Sequence, residues 1–405
     1  MPDLDLDALL AAAGAGGPSC LSSTTELRPA GGAHTAVAPA KYLEGSGSQA
    51  KSVYVYERRY LDGSPRHTVL LDSKQSQLNR VEAELERARL DGDVVLSRLP
   101  HVEVTYGDGQ SGEVFSDLTL PHRVYDAHVR AGSIGGTPTT QTPAYRAVRD
   151  ATPADARALF DVSPLTLVFG GWDASRRSRQ GRWRSALVGE IVGFLPDGRP
   201  EPGSRGGARI DPLGMQVQVS GSALRSMAED QQSELSRGTY DKVVKAAGAA
   251  KEKPVAAAEL GFGGIPPTLS QLGGVACERI IRTHVLSFAA LRQMRFGGGP
   301  EADAACRALL AALALDGLAR SDAELYLRAN CDLVEAAPTR VLLDQRGGAE
   351  VELEALDIGA ADRLLADALT HAEDAAGVQW KGVSLRVTGN PQVGRGAEDE
   401  VGEQA

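Results

Sequence analysis

The stretch from residue 67 to residue 88 constrains the fold most, because its hydrophobic period changes halfway along. His67 to Leu71 is short, apolar and β-branched, the pattern of a buried strand, and it runs straight into Asp72-Ser73-Lys74-Gln75-Ser76. Asp and Ser open helices because their side-chain oxygens accept from the first free amides. Beyond them Leu78, Val81, Leu85 and Ala88 recur at helical spacing, with Glu82, Glu84, Glu86 and Arg87 expected mostly on the other side. Strand, polar turn and helix in succession are the sharpest local architecture in the chain.

The rest of the chain extends that pattern. Residues 3–13 read as a short amphipathic helix ended by Gly14 to Pro18, and residues 20–27 alternate as a strand, as do residues 53–60. Residues 102–106 and 113–115 flank Gly107-Asp108-Gly109 as a hairpin, and Pro121-His122-Arg123 opens a short helical or irregular segment. A loop is expected at 131–144, a helix start at Thr152-Pro153 and a buried strand at 165–169. Residues 186–194 suit helix or strand equally, because Gly189 and Gly193 interrupt an apolar run. Residues 198–207 read as a loop and 215–219 as a strand, whereas the lysine- and alanine-rich stretch 236–258 has too weak a pattern for a core element and reads as a poorly ordered insertion. Residues 275–296 and 302–315 are expected helices separated by Gly297-Gly298-Gly299-Pro300. Strands follow at 331–335, 341–344 and 350–353, then a helix at 360–375 and a strand at 383–387. The division that results is an N-terminal segment 1–18, one elaborated domain over 19–390 with insertions near 101–150 and 220–265, and a disordered acidic tail at 391–405.

Composition limits the function classes. The 405 residues, 42% hydrophobic and 24% charged, are ample for a substantial core. A net charge of -10 argues against nucleic-acid binding through bulk charge, so any polyanion site must be a local groove whose field survives over ~8 Å. Cys20, Cys277, Cys306 and Cys331 form no CxxC pair and have no histidine at ligand spacing, which leaves neither a zinc site nor a disulfide framework. With no basic leader and no apolar run of about 18 residues, the expectation is a cytoplasmic chain with no membrane partner. Neither a cofactor nor a metal is implied.

Against that acidic background five arginines, Arg176, Arg177, Arg179, Arg182 and Arg184, fall within nine residues together with Trp183. Guanidinium forks match phosphate oxygens, and an aromatic face stacks on bases, so the combination suits a single-stranded polynucleotide. Trp183 serves equally well as a core anchor. The turn carrying Ser73, Lys74, Gln75, Ser76, Asn79 and Arg80 is a second anion candidate, since a helix start offers free amides. Gly263 and Gly264 lack nucleotide-fold spacing but permit a close approach to a sugar-phosphate chain. For catalysis the candidates are few: His122 and His128, which flank Asp126.

Several motifs occur in a recognisable order: residues 70–82, Phe169-Gly170-Gly171-Trp172-Asp173, residues 184–193, Arg209-Ile210-Asp211-Pro212-Leu213-Gly214, residues 260–267 and Cys331-Asp332-Leu333-Val334. Together they resemble the CRISPR-associated RAMP proteins of the Cas-seven group that form the backbone of type I-U, or I-G, effector complexes. The resemblance implies an α+β fold, an RRM-like, ferredoxin-type palm with large insertions and a projecting thumb, for which both the 102–117 hairpin and the 220–265 insertion are candidates. It also implies a non-catalytic subunit that binds guide crRNA along its phosphates, polymerises head to tail with other copies of itself, contacts other CRISPR effector subunits and presents the guide to target DNA. On this view Ser73, Lys74, Ser76, Asn79 and Arg80 touch guide phosphates, and the arginine loop makes a second line along RNA or displaced DNA. The alternative within the same resemblance is an endoribonuclease that cuts guide-paired RNA with a loop aspartate, for which the candidates are Asp126 with His122 and His128, or Asp173.

Overall fold

In the computed structural model, residues 2–47, 50–107, 113–196, 202–270 and 272–393 are described, so the tip of the 102–117 hairpin and most of the acidic tail lie outside the described residues. The chain divides into two compact units, one comprising residues 1–201 and 274–389, the other centred on 202–273.

The first unit is built on a twisted antiparallel sheet. Six elements carry it: β1 (Cys20–Pro29), α1 (Lys74–Leu90), β2 (Leu187–Phe194), β3 (Arg279–Ser287), α2 (Gly299–Glu324) and β4 (Arg340–Gln345). The sheet order is β4-β1-β3-β2, and every neighbouring pair is antiparallel. The connectivity is thus β-α-β-β-α-β with strand order 4-1-3-2, widened beyond β2 by Ser64–Asp72 and Tyr56–Leu61 and beyond β4 by Ala349–Leu353. The strands alternate buried and half-buried residues, which leaves one face for helices and one open. On the covered face α2, rich in alanine and leucine, is buried along most of its length and packs against α1 and the helix Ile358–Ala376. A second, five-stranded sheet joins His101–Thr105 to Val383–Thr388 in parallel. None of the helices among the described residues is long and apolar enough to cross a membrane.

Gly189 shows why a glycine interrupts an apolar strand. It lies directly opposite His284 in the β2-β3 register, and a Cβ there would stand 1.9 Å from the imidazole Cδ2. The ring occupies the space a side chain would fill, and its pKa is pushed down to about 3, first by burial and then by Arg282. Gly189→Ala is therefore expected to destabilise by about 2–3 kcal/mol through overpacking. Urea denaturation would check it, and in a His284→Ala background the same change should cost little.

Several expectations from the sequence are corrected; the helix start expected at Thr152-Pro153, for one, is a tight turn closed by Thr152 and Asp155, and the helix begins at Arg157. Residues 164–169 form a helix, Pro164–Phe169, with all six residues buried, because Pro164 sits in the first turn, where its missing N–H costs nothing. Residues 275–296 contain the strand β3 followed by the short helix Phe288–Leu291; the alternation Ile280, Arg282, His284, Leu286 buries every second residue, and two of those four are polar, which hid the period of 2. Residues 236–258 contain a 14-residue helix, Arg237–Ala250, capped by Ser236, in place of an unordered insertion. In the second unit this helix packs with Gly221–Asp230 around Leu224, Ala228, Val243, Ala247 and Ala257, a core too small to leave a strong pattern.

Candidate nucleic-acid interface

Asp72, fully buried at the end of its strand, organises the start of α1. Its carboxylate accepts from Gln77 Nε2 at 2.6 Å and from Arg80 Nε at 3.1 Å, and it pairs with Arg328, whose guanidinium also donates to the Leu71 carbonyl at 2.6 Å. Arg80 donates in addition to the Tyr326 carbonyl at 2.7 Å and lies 6.0 Å from the Tyr326 ring. Ser73 is the N-cap, accepting from Ser76 N at 3.2 Å. Of the residues proposed for this turn, Ser73, Arg80 and the backbone amide of Ser76 are thus occupied in forming it, while Lys74, Gln75 and Asn79 are exposed. Tyr326, 73% exposed beside Arg80, adds an aromatic surface that the sequence reading did not single out.

Farther along α1, two of the glutamates face inward instead of outward. Glu82 is held by Arg123 through two contacts of 2.5 Å, and Glu86 by Arg89 at 2.6 and 3.0 Å and by Ser116 at 2.7 Å. Burial pushes the Glu82 carboxyl above its ordinary value despite Arg123; for Glu86, burial acts the same way but the bonds from Arg89 and Ser116 outweigh it and lower the value. Arg123 also donates to the Gly170 carbonyl at 2.9 Å, which ties α1 to the root of the arginine loop.

That loop is clamped at its base. Gly171–Trp172 pairs with Arg182–Trp183 in a two-stranded ladder, with Gly170 at φ +88° turning the chain into it. Asp173 is buried and receives Arg149 at 2.6 and 3.0 Å, and Arg176 donates to the Arg149 carbonyl and to Asp150, both at 2.5 Å. The ladder's period of 2 sorts the aromatics. Trp183, 8% exposed, points inward and its indole donates to Tyr125 Oη at 2.9 Å; Trp172, 51% exposed, stands on the outer face with the Arg182 guanidinium 5.0 Å from its ring. Trp183 is the core anchor, and Trp172 is the available stacking surface. Among the described residues Arg177, Arg179 and Arg184 are exposed and make no hydrogen bond or ion pair with the protein.

In the second unit Gly263 and Gly264 serve a tight turn. Gly263, at φ +99°, donates its amide to Asp211 Oδ2 at 3.0 Å, and Gly264 donates to the Met215 carbonyl at 3.1 Å. Both amides are already engaged.

The aspartates considered for catalysis also have structural bonds. Asp126 is buried and caps the helix Ala127–Ala131, accepting from His128 N at 2.9 Å and His122 N at 3.1 Å, while His128 Nδ1 lies 2.6 Å from Tyr106 Oη. Asp173 is the Arg149 partner already described. No group of histidine, cysteine and carboxylate side chains suited to a metal ion occurs among the described residues.

The molecule is therefore an α+β protein with free guanidinium groups on a clamped surface loop. Residues 21–196, somewhat less than half of the chain, match the model of a family described as CRISPR-associated protein GSU0053. The matched stretch contains both the 73–80 turn and the 176–184 loop, and the likeness supports a CRISPR-associated identity. No curated protein matches the chain.

Proposed function

We propose that this chain is a non-catalytic backbone subunit of a type I CRISPR interference complex that binds crRNA along its phosphates, oligomerises along it and presents it to target DNA. The observation that carries the reading is the clamped loop: three unpaired arginines beside an exposed tryptophan, in a chain of net charge -10. Unpaired guanidinium groups on an acidic protein attract a polyanion, and a single strand supplies both phosphates and stackable bases. Likeness to a CRISPR-associated family supports the setting, and the β-α-β-β-α-β order supports an RRM-like palm. The contact set narrows to Lys74, Gln75 and Asn79 on α1 and to Arg177, Arg179 and Arg184 on the loop, with Trp172 and Tyr326 as stacking surfaces; Arg80, Arg176 and Arg182 hold that set in place.

Ultraviolet crosslinking of the protein purified with crRNA, followed by peptide mapping, tests the site. Crosslinks are expected at Trp172 and Tyr326. Crosslinks confined to other peptides would displace the site, and purification without nucleic acid would reject the function. Incubating the assembled complex with RNA complementary to the guide, with and without magnesium, is expected to leave that RNA intact. Cleavage abolished by Asp126→Asn or Asp173→Asn would establish the endoribonuclease instead.

A further inference from the structure

A second concentration of arginine lies away from the loop, in a cavity of about 620 Å³ at the start of α2. Its walls include Arg292, Arg295 and Arg307 together with Gly16, Gly297 and Pro300. Arg307 is only 8% exposed; it donates to the Met294 carbonyl at 2.9 and 2.6 Å and reaches Asp303 at 3.4 Å. Arg292 donates to the carbonyls of Ala12 and Pro18 at 2.6 and 2.7 Å and has no carboxylate partner within ion-pair distance. Arg295 is exposed, and its side chain makes no hydrogen bond or ion pair with any described residue. Arg346, bonded to the Gly17 carbonyl at 3.2 Å, adds a fourth positive charge that acts on Arg292.

Carbonyl oxygens satisfy guanidinium donors without neutralising their charge. On the cavity wall stands the carboxylate of Asp303, whose Oδ1 also accepts from Phe296 N at 2.6 Å; Asp344, which acts on Arg292, also accepts from Cys20 N at 2.6 Å. Three guanidinium groups thus share the cavity wall with one carboxylate, Asp303, and that excess of positive charge beside the buried Arg307 favours an anion. Burial and the neighbouring arginines hold Arg292 below its ordinary value; burial, and Arg295 against the opposing Asp303, do the same for Arg307. The cavity is of a size that accommodates a nucleotide.

We propose that the Arg292–Arg295–Arg307 cavity is a phosphate-binding site separate from the arginine loop, taking a phosphate of a nucleotide or of a nucleic-acid backbone. Its test uses the full chain with Arg177, Arg179 and Arg184 changed to alanine, which removes from the loop the three guanidinium groups assigned to phosphate. Pyrophosphate is titrated calorimetrically against a sodium chloride control of equal ionic strength. Saturable binding is expected, weakened at least about tenfold by Arg295→Glu, which removes no contact that holds the fold. Absence of binding, or equal affinity in the Arg295→Glu variant, would overturn the proposal. Competition then separates the two sources: displacement by AMP at the concentration of pyrophosphate indicates a free nucleotide, and displacement by a short oligoribonucleotide at much lower concentration indicates a backbone.

Discussion

Changing Arg177, Arg179 and Arg184 together to glutamate is expected to lower affinity for single-stranded RNA by about 100-fold at physiological salt, with little dependence on sequence. The figure follows from three exposed charge-assisted contacts of roughly 1 kcal/mol each. The slope of log affinity against log salt should also fall by about 2, since each phosphate contact on a single strand contributes roughly 0.7. Arg176 is left in place because it fastens the loop to Asp150 and the Arg149 carbonyl, and its loss would mix binding with folding. None of the three replaced side chains bonds to the protein, so thermal stability should stay within about 0.5 kcal/mol of the parent. Fluorescence anisotropy with unrelated sequences at several salt concentrations measures both quantities. Affinity unchanged within about threefold would remove the loop from the interface.

The second large effect is structural. Asp72→Ala should cost about 3–5 kcal/mol, because it leaves Arg80 and Arg328 without the buried carboxylate they share and Gln77 without an acceptor. Urea denaturation would show a shifted midpoint at an unchanged slope. RNA binding should weaken too, since Lys74, Gln75 and Asn79 ride on the turn that Asp72 organises. A loss below about 1 kcal/mol would mean that Asp72 does not govern the turn, and solvent would then satisfy its partners.

Local pattern predicted some elements well and others poorly, for physical reasons. The helix Lys74–Leu90 announces itself through Ser73 and the spacing of Leu78, Val81, Leu85 and Ala88, all of which are buried. The pair Arg340–Gln345 and Ala349–Leu353 is equally clear around Gly347 and Gly348, both at positive φ. Buried elements were harder. Residues 164–169 are apolar on every side, so no period separates helix from strand. In β3 the inward positions include Arg282 and His284, which look solvated until Asp322, 3.1 Å from Arg282, and the vacancy at Gly189 are in view. The same applies to Glu82 and Glu86, whose partners Arg123 and Ser116 lie 41 and 30 residues away.

The candidate interface divides in the same way. Arginine density within 176–184, the acidic total that makes it unusual and the capped turn at 73–80 are properties of the sequence, and they point to phosphate without any coordinates. Which guanidinium groups remain free is a tertiary matter, because their partners are set by the fold and several lie far along the chain: the Tyr326 carbonyl as well as Asp72 for Arg80, Asp150 for Arg176. Trp172 and Trp183 look alike in the sequence. A two-residue ladder and the hydroxyl of Tyr125 turn Trp183 into the core and leave Trp172 in solvent.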